Sequence, residues 1–279
     1  MMVEQQIRPL ASFFNDHRGC VVVRKDRNKL LLRSRASSSH NADLFVKIYL
    51  HPNLRSRVQA SFRLAGGARE LYVCRRLRSL SVLTPEPIGC ALKRSWFGLP
   101  LHSLYAARWI SDAVTLQDLI FHEYDGEETR NELFGNLVVA IGHYIATLNK
   151  KGVVPRELNA GNLLVRRLDS RSFEFILVDY DRVSFSRRAP LSKCLTALSQ
   201  VGAFLVPVAG DVPRQLSLGY TQVYQGLDLK ALTREVDLSI SRRRKLWARG
   251  LDEKFSNIAK ALRSHLKTSD RVRGQGGGR

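Results

Sequence analysis

Four polar residues in this chain stand alone inside or beside apolar runs. They are Lys47 in LFVKIYL, Glu70 in ARELYVCRRL, Asn162 in ELNAGNLLV and Asp179 at the end of FEFILVD. Each has a plain structural reading. Lys47 could shield the edge of a sheet, Asn159 and Asn162 could tie down a loop, and Asp179 could cap a turn. Glu70 resists such a reading. On a helical wheel Val73, Cys74 and Leu77 surround it, while Arg69, Arg75, Arg76 and Arg78 take the flanks and back. A carboxylate at the centre of an apolar face needs a partner, because an unpaired buried charge is costly. A strand lysine some 20 residues upstream is a suitable mate, and a lysine braced in that way is placed to meet nucleotide phosphates. Asn162 follows a loop that leaves a long helix, and Asp179 closes an apolar strand. One amide carbonyl, one carboxylate and a phosphate are enough protein and substrate oxygen for magnesium, which keeps several waters.

The elements that must carry these residues are legible in the pattern. CVVVRKDRNKLLLR, residues 20–33, reads as a β-hairpin and LFVKIYL as a third strand. Helical spacing runs from about Ser61 to Leu80. SWFGLPL and SLYAARWI read as two further strands, and TLQDLI opens a short helix with Asp112 or Thr115 as its cap. HEYDGEETRNE is a surface loop or a helix start. Phe134, Val138, Ile141, Ile145 and Leu148 then recur at helical steps until Gly152 stops them. NLLVRR and FEFILV form a strand pair around LDSRS. Beyond Pro190 the pattern is helical, with breaks expected at Pro207 and Pro213, and RVRGQGGGR is a disordered tail.

The 279 residues suffice for one large domain or two lobes sharing a cleft, and 44% hydrophobic content excludes wholesale disorder. A net charge of +20 implies an anionic partner: a nucleotide, a nucleic acid or an anionic membrane face. Cys20, Cys74, Cys90 and Cys194 lack CxxC or CxxH spacing, so neither a disulfide framework nor a structural zinc site is expected. The first residues lack the apolar stretch of a signal peptide, and no run approaches the roughly 20 residues of a membrane span. The expected location is cytoplasmic. SRRRKLWARG, residues 241–250, groups cations with Leu246 and Trp247, and a helical pattern continues through NIAKALRSHLK. This is either a solvated basic helix or an attachment to an anionic leaflet. Nucleic acid is the competing anion, but no zinc-finger or RNP-like motif supports it, and it is not the partner expected here.

Taken in order, strand lysine, helix glutamate, loop asparagine and strand-end aspartate resemble the Kdo/WaaP lipopolysaccharide kinase family, a branch of the protein-kinase-like fold. The family loop runs roughly His-x-Asp-Leu-Asn-Ala-x-Asn-Ile-Leu, and residues Pro155 to Leu164 here read PRELNAGNLL. The family's Asp-Phe-Asp-Arg is echoed by Asp179-Tyr180-Asp181-Arg182. Its helix Ala-Arg-x-Glu is echoed, one residue shorter, by Ala68-Arg69-Glu70. AARWISDAVTLQDLI resembles the hinge and following helix, and LSLGY resembles a late Leu-x-Gly-Tyr element. The likeness spans roughly residues 20–225.

What the resemblance implies is an α+β, two-lobed protein-kinase-like fold. Residues 1–106 would form an N-lobe with a small antiparallel β-sheet and the Glu70 helix. Residues 107–270 would form a mostly helical C-lobe, and 271–279 a basic, glycine-rich tail. ATP would lie under the first hairpin with its adenine against the backbone of Arg108, Trp109 and Ile110. Lys47 would hold the phosphates, Glu70 would brace Lys47, and Asn162 and Asp179 would bind Mg2+. Glu157 would orient the acceptor hydroxyl, which by resemblance belongs to a lipid-linked inner-core sugar of lipopolysaccharide, Kdo or a heptose. Peripheral contact with the cytoplasmic face of the inner membrane would follow. A protein kinase, and a pseudokinase that binds nucleotide without turnover, remain open. Three departures bear on this. The first hairpin turns on Lys25-Asp26-Arg27-Asn28 rather than a glycine-rich loop, Pro155 replaces the histidine, and Glu157 replaces the aspartate on an arm one methylene longer.

Overall fold

The computed structural model of the chain describes residues 10–249 apart from 16–18, 27, 37–41, 63–65, 123–126, 170–171, 181, 187–190 and 207–210. It divides into two compact units. The first comprises Met1–Ser111 with Val178–Asp181, and the second Asp112–Leu177 with Arg182–Arg279.

The first unit is built on a five-stranded antiparallel sheet in the order β1-β2-β3-β5-β4. Its strands are β1 (Cys20–Asp26), β2 (Lys29–Ser34), β3 (Leu44–Leu50), β4 (Pro87–Arg94) and β5 (Pro100–Arg108). The apolar runs read as a hairpin and a third strand are β1 to β3. Leu32, Leu44, Val46, Ile48 and Leu104 form a core closed by Leu10 and Phe13. Two expectations are corrected. SWFGLPL is not a strand: Ser95 N–H donates to Leu99 O at 2.8 Å across a tight turn in which Gly98 has φ +77°. The preceding strand is instead PIGCALKR, an edge strand whose apolar content is too low to announce it. The single helix expected from Ser61 to Leu80 is two, α1 (Leu54–Phe62) and α2 (Gly66–Ser79).

Helix α2 lies so close to β5 that a Cβ on Gly67 would stand 2.2 Å from Leu104 O. Only glycine permits that approach. Three residues on, Glu70 is thereby brought down onto the sheet, with Val73, Cys74 and Leu77 buried on the same face.

In the second unit, α3 (Leu116–His122) and α4 (Glu127–Lys150) precede the strands β7 (Val153–Pro155), β8 (Leu163–Arg167), β9 (Phe173–Leu177) and β10 (Val183–Phe185). Helices α5 (Leu191–Leu205), α6 (Val212–Val223) and α7 (Leu229–Ala248) follow. A short β6 (Val114–Thr115) pairs with β8, β8 pairs in turn with β9, and β7 pairs with β10. Thr115 is the cap of α3, accepting from Asp118 N–H at 3.0 Å, whereas Asp112 is bonded by Arg166 at 2.8 Å. All five residues of the helical stripe from Phe134 to Leu148 are buried in α4. Pro213 does not break a helix but sits in the first turn of α6, where its missing N–H costs nothing. The LSLGY element packs α6 on α4. A Cβ at Gly219 would lie 1.9 Å from Val139 O, and the Tyr220 hydroxyl accepts from Asn149 Nδ2 at 3.2 Å.

The basic run also differs from one expectation. Trp247 is buried, because Leu232, Val236, Ile240 and Trp247 form the stripe by which α7 packs. Arg242, Arg244 and Lys245 stay exposed, so this helix offers charge without an interfacial tryptophan. NIAKALRSHLK, Pro207, Asp181, Arg27 and the tail lie outside the described residues, as does the middle of HEYDGEETRNE. Among the described residues no helix is long and apolar enough to cross a membrane, and all four cysteines are free.

Candidate active site

Within the first unit the structure brings Lys47, Glu70 and Asp179 together. Strand β3 is the middle strand of five, so Lys47 is not an edge-strand lysine. Its Nζ donates to Glu70 Oε1 at 2.7 Å and to Asp179 Oδ1 at 2.6 Å. The Lys47 and Glu70 side chains are each 2% exposed, while that of Asp179 is 35% exposed. The triad is therefore closed on the helix side and open at the aspartate. A buried pair of this kind is a poor source of stability, since desolvation offsets its attraction.

Two further features hold Asp179. Its backbone has φ +56°, in the left-handed region that a residue with a Cβ seldom adopts. Strain of that sort persists where surrounding contacts enforce it. A buried contact is next in sequence: the hydroxyls of Tyr180 and Tyr105 lie 2.7 Å apart, and both side chains are buried. Tyr105 stands directly opposite Lys47 in the β3–β5 ladder, so the two share a face of the sheet. Burial pushes both phenols well above the ordinary tyrosine range, and they remain protonated. Sequence reading missed this clasp, because two tyrosines 75 residues apart carry no local signal.

Arg108, Trp109 and Ile110 leave the sheet at the end of β5. Arg108 N–H donates to Glu86 O and Trp109 N–H to Asp43 O, both at 2.8 Å. Arg33 lies over the Trp109 ring, 4.6 Å from its centroid, and bonds Asp43 at 2.7 Å. That hydrogen bond holds the Asp43 carboxyl below its usual range.

Within the second unit, Glu157 and Asn162 share one loop. Asn162 Nδ2 donates to Glu157 O at 3.1 Å, which settles the amide's direction and leaves Oδ1 as its acceptor face. The loop-tying reading of Asn162 thus holds alongside any ligand role. Glu157 Oε1 accepts from Arg182 Nη1 at 2.5 Å, with side-chain exposures of 33% and 64%. Pro155 is accommodated without loss. Arg156 N–H reaches Arg182 O and Ser186 N–H reaches Gly152 O, so the ladder bonds fall on alternate residues and skip Pro155.

Gln200 on α5 is a residue the sequence reading did not single out. Buried at 4% exposure, it accepts from Leu158 N–H and donates to Arg156 O, both at 2.8 Å. It thereby grips the backbone on either side of Glu157. A signal was available: Gln200, beside Ser199, is a long polar side chain in a run with buried Ala197, Leu198, Val201 and Phe204, much as Glu70 is in its own helix. Gln200→Leu would strand a buried N–H, at a cost of roughly 1–3 kcal/mol. We expect a lowered unfolding midpoint. If the loop works as proposed below, kcat also falls at least tenfold with KM for ATP little changed, while Gln200→Glu, which keeps the acceptor, is milder. Thermal denaturation and steady-state kinetics on both variants check this.

Among the described residues no cluster of three or more His, Cys, Asp or Glu could hold a metal by itself. The oxygens of Asn162 and Asp179, one carbonyl and one carboxylate, are the donor types that suit magnesium completed by phosphate and water.

A five-stranded antiparallel sheet with a central-strand lysine bonded to a helix glutamate, followed by a mostly helical unit, is the protein-kinase-like fold. The chain belongs to the lipopolysaccharide kinase (Kdo/WaaP) family, whose model matches residues 17–193, more than half its length. Among solved structures, WaaP in complex with acyl carrier protein aligns over 86% of this chain and 96% of that one, with a TM-score of 0.59 and 16% identity. A divergent kinase lacking the glycine-rich loop, which regulates membrane ultrastructure of the Toxoplasma parasitophorous vacuole, aligns over 82% of this chain and 88% of that one, with a TM-score of 0.43 and 11% identity. No curated protein matches the chain in sequence.

Proposed function

We propose that the chain is an ATP-dependent kinase that transfers a phosphoryl group to a hydroxyl of a lipid-linked inner-core sugar of lipopolysaccharide, Kdo or a heptose. Membership of a lipopolysaccharide kinase family supports the reaction class. The observation that carries the residue assignment is the buried Lys47 ammonium bracketed by Glu70 and Asp179. In this reading Lys47 neutralises the ATP phosphates and Glu70 keeps its ammonium in place. Asn162 and Asp179 hold Mg2+, which when bound neutralises charge on the transferring group. The adenine edge lies along Arg108, Trp109 and Ile110. With the first two N–H groups taken within the sheet, Ile110 and the carbonyls supply its hydrogen bonds. Glu157, oriented by Arg182, receives the proton as the acceptor oxygen attacks the γ-phosphorus and ADP leaves. The N-lobe and C-lobe of the family correspond to the first and second units.

The location that fits such an acceptor is the cytoplasm, with peripheral contact at the inner membrane. The exposed α7 cations support attraction to an anionic leaflet, which salt should weaken. A pseudokinase is the second reading, favoured by Pro155 and Glu157 where the family has histidine and aspartate.

Thermal denaturation with ATP tests the first step. At a hundred times Kd, ligand should add about 2.7 kcal/mol of stability, and chelating magnesium should remove most of it. No shift under any metal condition would end both kinase-like readings. Turnover on purified lipopolysaccharide core then separates enzyme from pseudokinase, and transfer only to a protein hydroxyl would reassign the acceptor.

A further inference from the structure

The most exposed large apolar side chains among the described residues are Trp96 at 88% and Phe97 at 74%, adjacent at the tip of the β4–β5 turn. Their ring centroids are 4.5 Å apart. The tip is held by its own bonds. Gly98 N–H donates to Ser95 O at 2.9 Å, Leu99 N–H to Ser95 Oγ at 3.2 Å, and Arg94 Nη1 to Gly98 O at 2.7 Å. Two large aromatic faces are therefore presented to solvent by an ordered turn.

The strand register shows what surrounds this turn. Asp26 pairs with Lys29, Lys29 with Tyr49, Tyr49 with Ser103 and Ser103 with Leu92. The β1–β2 turn, the β3–α1 connection and the β4–β5 turn accordingly lie at one end of the sheet. That end carries exposed Lys25, Arg55 and Arg94 and half-buried Lys93. Lys93 Nζ donates to Asn15 Oδ1 at 2.7 Å, and Arg94 to Gly98 O, neutral acceptors that leave both positive charges in place. Among the described residues the carboxylate that borders these connections is Asp26, the last residue of β1, bonded by Arg24 at 3.1 Å.

We propose that this end of the sheet is a membrane-docking surface, with Trp96 and Phe97 entering the interface of an anionic bilayer and Lys25, Arg55, Lys93 and Arg94 meeting its headgroups. Charge complementarity identifies the occupant: cations ringing an aromatic pair match a negative surface over an apolar layer. Tryptophan suits that boundary because one end of its ring system is apolar and the other donates a hydrogen bond. The pair projects from a turn rather than lining a groove, so it fits a deformable surface better than a folded partner's convex face. This surface is distinct from the α7 cations and does not depend on the kinase chemistry. It would, however, bring the first unit to the leaflet in which a lipid-linked acceptor is anchored.

The experiment uses the full chain without nucleotide. Binding is measured by co-sedimentation with vesicles of phosphatidylethanolamine and phosphatidylglycerol, with phosphatidylcholine vesicles as the neutral control. Wild type should partition to the anionic vesicles with a blue shift in tryptophan emission, and weakly to the neutral ones. Trp96→Ser/Phe97→Ser should lower partitioning on the order of a hundredfold, given the area two aromatic rings bury. Its unfolding midpoint should match wild type, because the removed groups touch little but each other. Lys93→Glu/Arg94→Glu should lower partitioning at least tenfold and flatten its salt dependence. In Trp96→Phe the blue shift should vanish while partitioning remains within a fewfold of wild type. Reversing the α7 cations should leave the blue shift intact. Unchanged partitioning of Trp96→Ser/Phe97→Ser, a blue shift that survives Trp96→Phe, or binding of this surface to a soluble acidic protein with no affinity for vesicles would each overturn the assignment. Because none of these substitutions touches the residues assigned to ATP, failure here and failure of the magnesium–ATP shift are separable.

Discussion

Asp179→Gly is expected to abolish magnesium-dependent ATP binding and turnover while keeping, or slightly raising, the stability of the apo protein. The two effects separate because the backbone and side chain of Asp179 serve different ends. The backbone sits at φ +56°, a conformation that costs a residue with a Cβ about 1–2 kcal/mol and glycine almost nothing. The carboxylate bonds Lys47, but that ammonium keeps Glu70 as its buried partner. Losing the aspartate therefore leaves a matched pair and not an isolated buried charge. Asp179→Ala should be equally inactive and less stable than the glycine variant by about 1 kcal/mol, since both lose the bond and only alanine retains the strain. Calorimetry on the three proteins reads the stability order, and titration with ATP and magnesium reads the binding. Magnesium-dependent binding that survives in Asp179→Gly would remove Asp179 from the metal site. A glycine variant less stable than the alanine one would refute the account of strain.

Glu157→Ala is expected to lower kcat by a hundred- to ten-thousandfold, the usual worth of general-base help, with ATP affinity nearly unchanged. Its unfolding midpoint should barely move, because the Glu157–Arg182 pair is open to solvent, at 33% and 64% exposure, and such pairs contribute at most about 1 kcal/mol. A large kinetic loss without a stability loss is what distinguishes a working carboxylate from a structural one. Glu157→Asp should keep or raise activity, because it restores the arm length of the family pattern. Arg182→Ala should lower kcat less than Glu157→Ala, since it removes the orienting partner and leaves the base. Turnover indifferent to Glu157→Ala would mean that another group takes the proton. Wild type that binds Mg–ATP but phosphorylates no sugar, lipid or protein acceptor would make the chain a pseudokinase.

The local pattern carried much of the fold. Apolar runs delimit β1 to β3, β8 and β9, and helical periodicity delimits the buried face of α4. The helix is legible because the burial of one face repeats at its own period, and the strands because branched and aliphatic residues cluster in them. The Glu70 helix was readable for a sharper reason. A carboxylate among Val73, Cys74 and Leu77 implies a partner whatever the fold, and the partner found is Lys47. Where side-chain character was weak, the pattern misled. The edge strand PIGCALKR passed unnoticed, while SWFGLPL, though apolar, is a turn whose aromatic residues face solvent.

Tertiary structure alone decided the rest. The sequence by itself determined that the chain would fold around an apolar core, that its charge balance is strongly basic, and that Glu70 needed a buried partner. It could not determine that Trp247 is core and Trp96 exposed, since both lie beside cations and only the helix register of α7 and the turn at Gly98 separate them. Nor could it show the Tyr105–Tyr180 clasp, the left-handed backbone of Asp179, or Gln200 gripping both sides of Glu157. Each of these is a contact between residues far apart in the chain, or a backbone state imposed by such contacts. A single sequence records residue types at short spacing. Distances between remote residues exist only once burial of the whole core has chosen one packing.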